Sequence, residues 1–244
     1  MKLSVNPKQL TLLTLGAGGL GLVLRIWYFA SRDAKGLLAS AHFANTLCYL
    51  LLAAALALIV LCVRPLPSGG RYGRLFSGGK LPAAGCFAGA AGILYTCIAE
   101  TSSQVALSGV GLVLGLLAVG CLVLIGLLRL KGQRPSVYLF AILALYLIVH
   151  VLMQVRQWNK ETQQSVIFFP LLASLFLLVC IYYHAQLALK QEGVRQFVFF
   201  QQAAMLLCCM CLNSDCTVLY LSMAAWLGCD LCLPTPAKPH REEE

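Results

Sequence analysis

The sequence predicts an all-α polytopic membrane protein, a bundle of eight transmembrane helices with N and C termini both cytoplasmic. Three observations carry this. Hydrophobic residues make up 60% of the 244 residues and charged residues only 11%, with a mean hydropathy of +0.82. A soluble domain carries about 25% charged residues, so this chain has too few charges to cover a water-facing globule. A soluble enzyme and intrinsic disorder are both excluded. Second, the apolar residues gather into eight segments near spanning length, about 20 residues each. Third, Lys and Arg are distributed unevenly between alternate loops.

The first segment runs from Gln9 to Ala30. Met1 to Lys8 ahead of it looks like the basic start of a signal peptide. Arg25 interrupts the apolar run, however, and Trp27 and Tyr28 continue it with no small-x-small cleavage site after them, so it reads as an uncleaved helix. The second segment runs from Ser40 to Val63. A Pro/Gly/Ser loop follows, Arg64-Pro65-Leu66-Pro67-Ser68-Gly69-Gly70-Arg71, continuing through Arg74 to Lys80. The third, Leu81 to Thr101, is built of Ala and Gly; the fourth, Gln104 to Leu128, is strongly apolar. A basic loop, Arg129 to Pro135, precedes the fifth segment, Ser136 to Val155. The polar loop Arg156 to Gln164 precedes the sixth, Ser165 to Leu189.

After a charged turn from Lys190 to Arg195, Gln196 to Leu233 is 38 residues long, too long for one span. Asn213-Ser214-Asp215 in its middle reads as a tight turn, giving helices near 196–212 and 216–233. Residues 1–233 thus form a single transmembrane helical domain, and the Pro-rich, Glu-terminated segment 234–244 a disordered cytoplasmic tail. In this arrangement thirteen of the 18 Lys and Arg face the cytoplasm. Five fall on the outer side: Arg25, Arg32, Lys35, Arg156 and Lys160. A seven-span alternative would move only the C-terminus outside.

The same asymmetry accounts for the net charge of +9. No basic, aromatic-interleaved segment suits nucleic acid, so none is expected as a partner. Nearly all of the 12 Cys lie inside apolar runs, where free Cys packs as a small hydrophobe. Cys229-Asp230-Leu231-Cys232 has no second Cys pair to complete a zinc site, so no metal or other cofactor is expected. Asp230 reads as interfacial. Gly85-x-x-x-Gly89 and Gly111-x-x-x-Gly115 suit close helix contact. The run from Gly16 to Gly21 lies inside a span, not after a strand, and is no nucleotide loop. No GxSxG, HExxH or Walker A motif is present, so the reading leans away from an enzyme. A weak internal repeat pairs Arg25-Ile26-Trp27 with Arg156-Gln157-Trp158.

Polar groups concentrate in the outer third of the helices. Charges there face the bundle or a wet cavity, because exposure to lipid costs roughly 2.5–3.5 kcal/mol at mid-bilayer. The expected ligand-binding set is Arg25, His42, Asn45, Glu100, Gln104, His150, Gln154, Arg156 and Asp215, lining a pocket open to the outer face. Ser102 and Ser103 lie in the same layer. Glu100 would be the partner of Arg25. The competing reading is that Arg25 snorkels to the outer headgroups.

Arg25, Asp33-Ala34-Lys35-Gly36-Leu37-Leu38 and the loop from Arg64-Pro65-Leu66 to Arg71-Tyr72 resemble a group of uncharacterised small polytopic membrane proteins of gut clostridia. The resemblance covers about a third of the chain and implies a bacterial cytoplasmic membrane protein, with no function to carry over. The leading functional expectation is binding or transport of a small anionic molecule or lipid headgroup. The alternative is a non-catalytic membrane scaffold or accessory subunit that binds partner helices through its glycine faces. An intramembrane enzyme using His42 or His150 as acid or base comes third. The expected partners are the lipid bilayer, a small-molecule or lipid ligand, and a membrane protein.

Overall fold

The computed structural model describes residues 7–31, 42–65, 79–101, 108–158, 164–190, 193–214 and 216–231. They form α1 (Pro7–Ala30), α2 (Phe43–Val63), α3 (Lys80–Thr101), α4 (Ser108–Leu130), α5 (Val137–Trp158), α6 (Gln164–Lys190), α7 (Val194–Met210) and α8 (Thr217–Leu231). No strand occurs among the described residues. Helices are what an apolar chain must form in lipid, because only they satisfy every backbone N–H and C=O within one segment. The first six, α1 to α6, are long and apolar enough to cross a membrane. Large apolar side chains cover their outer faces, among them Leu12, Leu20 and Val23 of α1, Leu50 and Leu61 of α2 and Val113 and Leu117 of α4. The chain is a multi-pass integral membrane protein. At 17 and 15 residues, α7 and α8 are shorter.

These two short helices occupy the middle. Every residue of α7 from Gln201 onward is buried, walled by α1, α2, α6 and α8. Glycines let the outer helices approach. A Cβ on Gly18 would stand 2.6 Å from Cys209 Cβ, and one on Gly21 2.6 Å from Met210 Cγ, so α1 lies directly against α7. On the other side α3 meets α8, where a Cβ on Gly85 would stand 2.7 Å from Cys229 Cβ and one on Gly92 would overlap Ser222. The register gives direction. Thr11 pairs with Gln202 and Gly21 with Met210, so α1 and α7 run parallel. Gly85 faces Cys229 and Gly92 faces Ser222, so α3 and α8 run antiparallel.

Buried amides tie the central helix to its neighbours. The Gln202 amide donates to Thr11 Oγ1 at 3.1 Å, and the Gln201 amide to the Leu227 carbonyl at 3.2 Å. A buried amide without such partners would cost several kcal/mol. These bonds fix α7 in rotation as well as in depth.

One helix end departs from the sequence expectation with consequences for function. The basic loop was expected to begin at Arg129, but α4 continues to Leu130. Gly132, at φ +67°, forms the stop: Gln133 N–H donates to the Leu128 carbonyl at 2.8 Å and Gly132 N–H to the Arg129 carbonyl at 3.1 Å. This pair of bonds is the Schellman closure, which needs a residue in the left-handed region just past the helix. Arg129 is therefore a residue of the last helical turn, and its side chain turns into the bundle.

Candidate functional site

Arg25 lies a turn and a half before the end of α1 and is 2% exposed. It does not snorkel. Its guanidinium carbon sits 4.7 Å from the centre of the Phe169 ring and 5.4 Å from that of Phe29. Phe169 is itself stacked on Tyr49 of α2 at 5.2 Å, so two aromatic rings back the cation on one side. Asn45 is buried one turn before Tyr49 on the same helix. Two of the guanidinium nitrogens, Nε and one Nη, are buried with no hydrogen-bond acceptor. No ion pair to Arg25 occurs among the described residues. Ring faces stabilise a desolvated cation by about 2 kcal/mol, less than the several kcal/mol that desolvation costs.

Beside it a neutral network crosses three helices. The Gln154 amide of α5 donates to the Tyr220 hydroxyl of α8 at 2.7 Å and lies 3.0 Å from His150 Nε2. Tyr220 donates in turn to the Pro170 carbonyl of α6 at 3.0 Å, and Ser174 Oγ lies 3.0 Å from that carbonyl and 3.1 Å from the Tyr220 hydroxyl. Pro170 adjoins Phe169, so this network and the Arg25 cage share one stretch of α6. The Gln154 carbonyl oxygen is buried without a donor.

A second polar cluster lies at the far end of α8. Tyr220 and Asp230 are ten residues apart, about 15 Å along the helix axis. Arg129 of α4 forms a salt bridge with Asp230 Oδ1, and both side chains are buried. The other carboxylate oxygen, Oδ2, is 3.3 Å from His184 Nε2 of α6. His184 Nδ1 lies 2.9 Å from the Cys180 carbonyl. Each ring nitrogen of His184 thus faces an oxygen, and a proton on either side has an acceptor. Trp226, Phe197 and Phe140 surround the imidazole, at 5.4, 4.6 and 5.7 Å between ring centres. The sequence reading placed Asp230 at the interface. At the end of its helix it is a buried carboxylate, with Arg129 supplying its counter-charge.

Of the nine residues expected to bind a ligand, Arg25, Asn45, His150 and Gln154 are buried within the bundle at one end. His42 is half-buried and caps α2, its Nδ1 accepting from Ala44 N–H at 3.2 Å, with Trp27 and Tyr28 against its ring. Arg156 is exposed on the surface of α5, unlike the buried Arg25 of the other Arg-x-Trp sequence. Gln104 and Asp215 lie outside the described residues, as do the Glu100 side chain, Ser102, Ser103, the turn from Arg32 to Gly36, Cys232 and the tail. The helix that carries Glu100, α3, packs on α4 and α8, whereas Arg25 looks toward α2 and α6.

The Arg129–Asp230–His184 cluster escaped the sequence reading. One signal for it was present. Gly132, with Pro135 three residues on, marks the helix stop two residues past Leu130 and puts Arg129 inside α4. No family model, curated protein or solved structure matches this chain.

Proposed function

We propose that this integral membrane protein binds a small anionic molecule at Arg25, inside its helix bundle, as a step of transport. The supporting observation is the contrast between its two buried arginines. At Arg129 the fold provides Asp230 as counter-ion; at Arg25 it provides ring faces, and no carboxylate pairs with it among the described residues. A carboxylate or phosphate oxygen would supply what is missing. The neighbouring hydroxyl and amide groups of Tyr220, Ser174 and Gln154 would orient its polar remainder. Arg25 is closed from solvent, so entry requires the bundle to open, as alternating access demands.

A scaffold that meets partner helices through glycine would use the described helical glycines with open space around them, Gly16 and Gly19 of α1 and Gly109 and Gly120 of α4, since Gly18 and Gly21 are taken by α7.

The test uses detergent-purified protein, wild type beside Arg25→Gln, titrated with inorganic phosphate, acetate and benzoate while thermal unfolding is followed. An anion at a hundred times its dissociation constant should stabilise the wild type by about 2.7 kcal/mol. The variant should show no such response. Equal responses of the two proteins, or none from the wild type to any of the three anions or in native mass spectra of the protein as purified, would remove the support.

A further inference from the structure

The end of the bundle away from Arg25, where the Arg129–Asp230–His184 cluster also lies, holds a groove on its surface. It lies where α2 ends and α7 begins, has a volume of about 220 Å³, and is lined by Val60, Val63, Arg64, Arg195, Gln196 and Phe199. Its composition is divided by depth. Val60 and Val63 belong to the last turn of the α2 span, and Phe199 lies on the second turn of α7. Arg64 immediately follows the span, and Arg195 is the second residue of α7. The walls are thus apolar toward the membrane interior and cationic at its surface. Val60 and the adjoining Leu61 are exposed on the lipid-facing side of α2, so the groove opens sideways to the bilayer. No Asp or Glu is among the described residues that line it.

We propose that this groove binds one anionic phospholipid, its phosphate held between Arg64 and Arg195 and an acyl chain laid along Val60, Val63 and Phe199. Arginine suits the role because its planar fork takes two phosphate oxygens at once. Gln196, exposed at the rim, can hydrogen-bond a hydroxylated headgroup. The positive end of the α7 dipole adds to the same field. An apolar slot with no charge above it would accept any lipid chain, and two arginines on a water-facing surface would accept any phosphate. Only an amphiphile with a negative head uses both halves. The lipid would bridge the end of α2 to the start of α7.

The experiment is native mass spectrometry of the full chain exchanged into an equimolar mixture of phosphatidylglycerol and phosphatidylcholine. Two basic contacts predict about a thirty-fold preference of the wild type for one phosphatidylglycerol. The double variant Arg64→Gln/Arg195→Gln should lose that preference. Val60→Trp, which fills the slot and leaves both charges, should lose the bound lipid altogether. It also carries the test if the double variant fails to fold, which its thermal midpoint reveals. Equal retention of the two lipids by the wild type would overturn the proposal. So would an unchanged preference in the double variant or a lipid still held by Val60→Trp. Displacement of the lipid by millimolar inorganic phosphate would show a site for free phosphate instead, and also overturns it.

Discussion

Removing either member of the Arg129–Asp230 pair should destabilise the protein far more than removing both. The two side chains are 4% and 0% exposed, so little solvent screens the charge left behind. At about 4 Å between charge centres, a dielectric of about 20 gives an attraction of roughly 4 kcal/mol. Desolvation of two ions consumes most of that, so the pair is worth little beside an apolar replacement of the same shape. A single buried ion without its partner is another matter and costs about 3–5 kcal/mol. Asp230→Leu should therefore lower the unfolding free energy by about 3–5 kcal/mol, and Arg129→Met by a similar amount. The double variant should lie within about 1 kcal/mol of wild type, or above it. Reversible unfolding in mixed micelles, titrated with sodium dodecyl sulfate, measures all four corners of the cycle. The expected coupling is at least about 5 kcal/mol, the two single losses less the small change in the double variant. Additive losses, with the double variant falling as far as the two singles together, would show that the residues do not act as a pair.

Other outcomes follow from the same geometry. In protein stripped of bound anions, Arg25→Gln should raise stability by about 1 kcal/mol or more, since it removes an uncompensated buried charge; a fall of that size in a thermal melt would mean that Arg25 has a structural partner. Gly92→Leu should cost at least about 1–3 kcal/mol, because even its first carbon overlaps Ser222. Gly120→Ala, with nothing within 4 Å of the new carbon, should instead gain about 0.5–1 kcal/mol, and the two melts should move in opposite directions. Tyr220→Phe removes the hydroxyl that links Gln154 to the Pro170 carbonyl, while His150 still faces the amide, and should cost about 0.5–1.5 kcal/mol, measured against Leu219→Ala as a packing control.

The fold class was legible because it rests on composition. A chain this poor in charge has one solvent in which its surface makes sense, and lipid admits only a narrow set of backbone arrangements. The glycines of the third segment were legible as packing residues, and Gly85, Gly89 and Gly92 do face α8. Arg25 stood out because a charge inside an apolar run has to be accommodated somewhere. What composition could not provide was pairing. Arg129 and Asp230 are 101 residues apart, and Asp230 and His184 46, with no local pattern linking them. Each alone has a bland explanation: a basic residue at a helix end, an acid near an interface, a histidine among aromatics. Only the packing of α4, α6 and α8 at one level makes them a unit. The aromatic backing of Arg25 was hidden in the same way, since Phe169 reaches it from a helix five elements later.

The walled-in position of α7 bears on how the protein is made. A ribosome delivers α1 to α6 first, and each is apolar enough to partition into lipid by itself. The final hairpin is less suited to that. Its first limb spans only about 25 Å and carries Arg195, Gln196, Gln201 and Gln202; of these the Gln202 amide finds its partner on α1 and the Gln201 amide on α8. Entry of this hairpin is favourable once the six earlier helices offer it a polar-lined berth. The helix pair that follows α6 thus goes deeper than the six helices made before it. A nascent chain interrupted after Lys190 would present the flanks of α1 and α3, with Gly18 and Gly85 bared, as an unfilled trough that quality-control proteases can read.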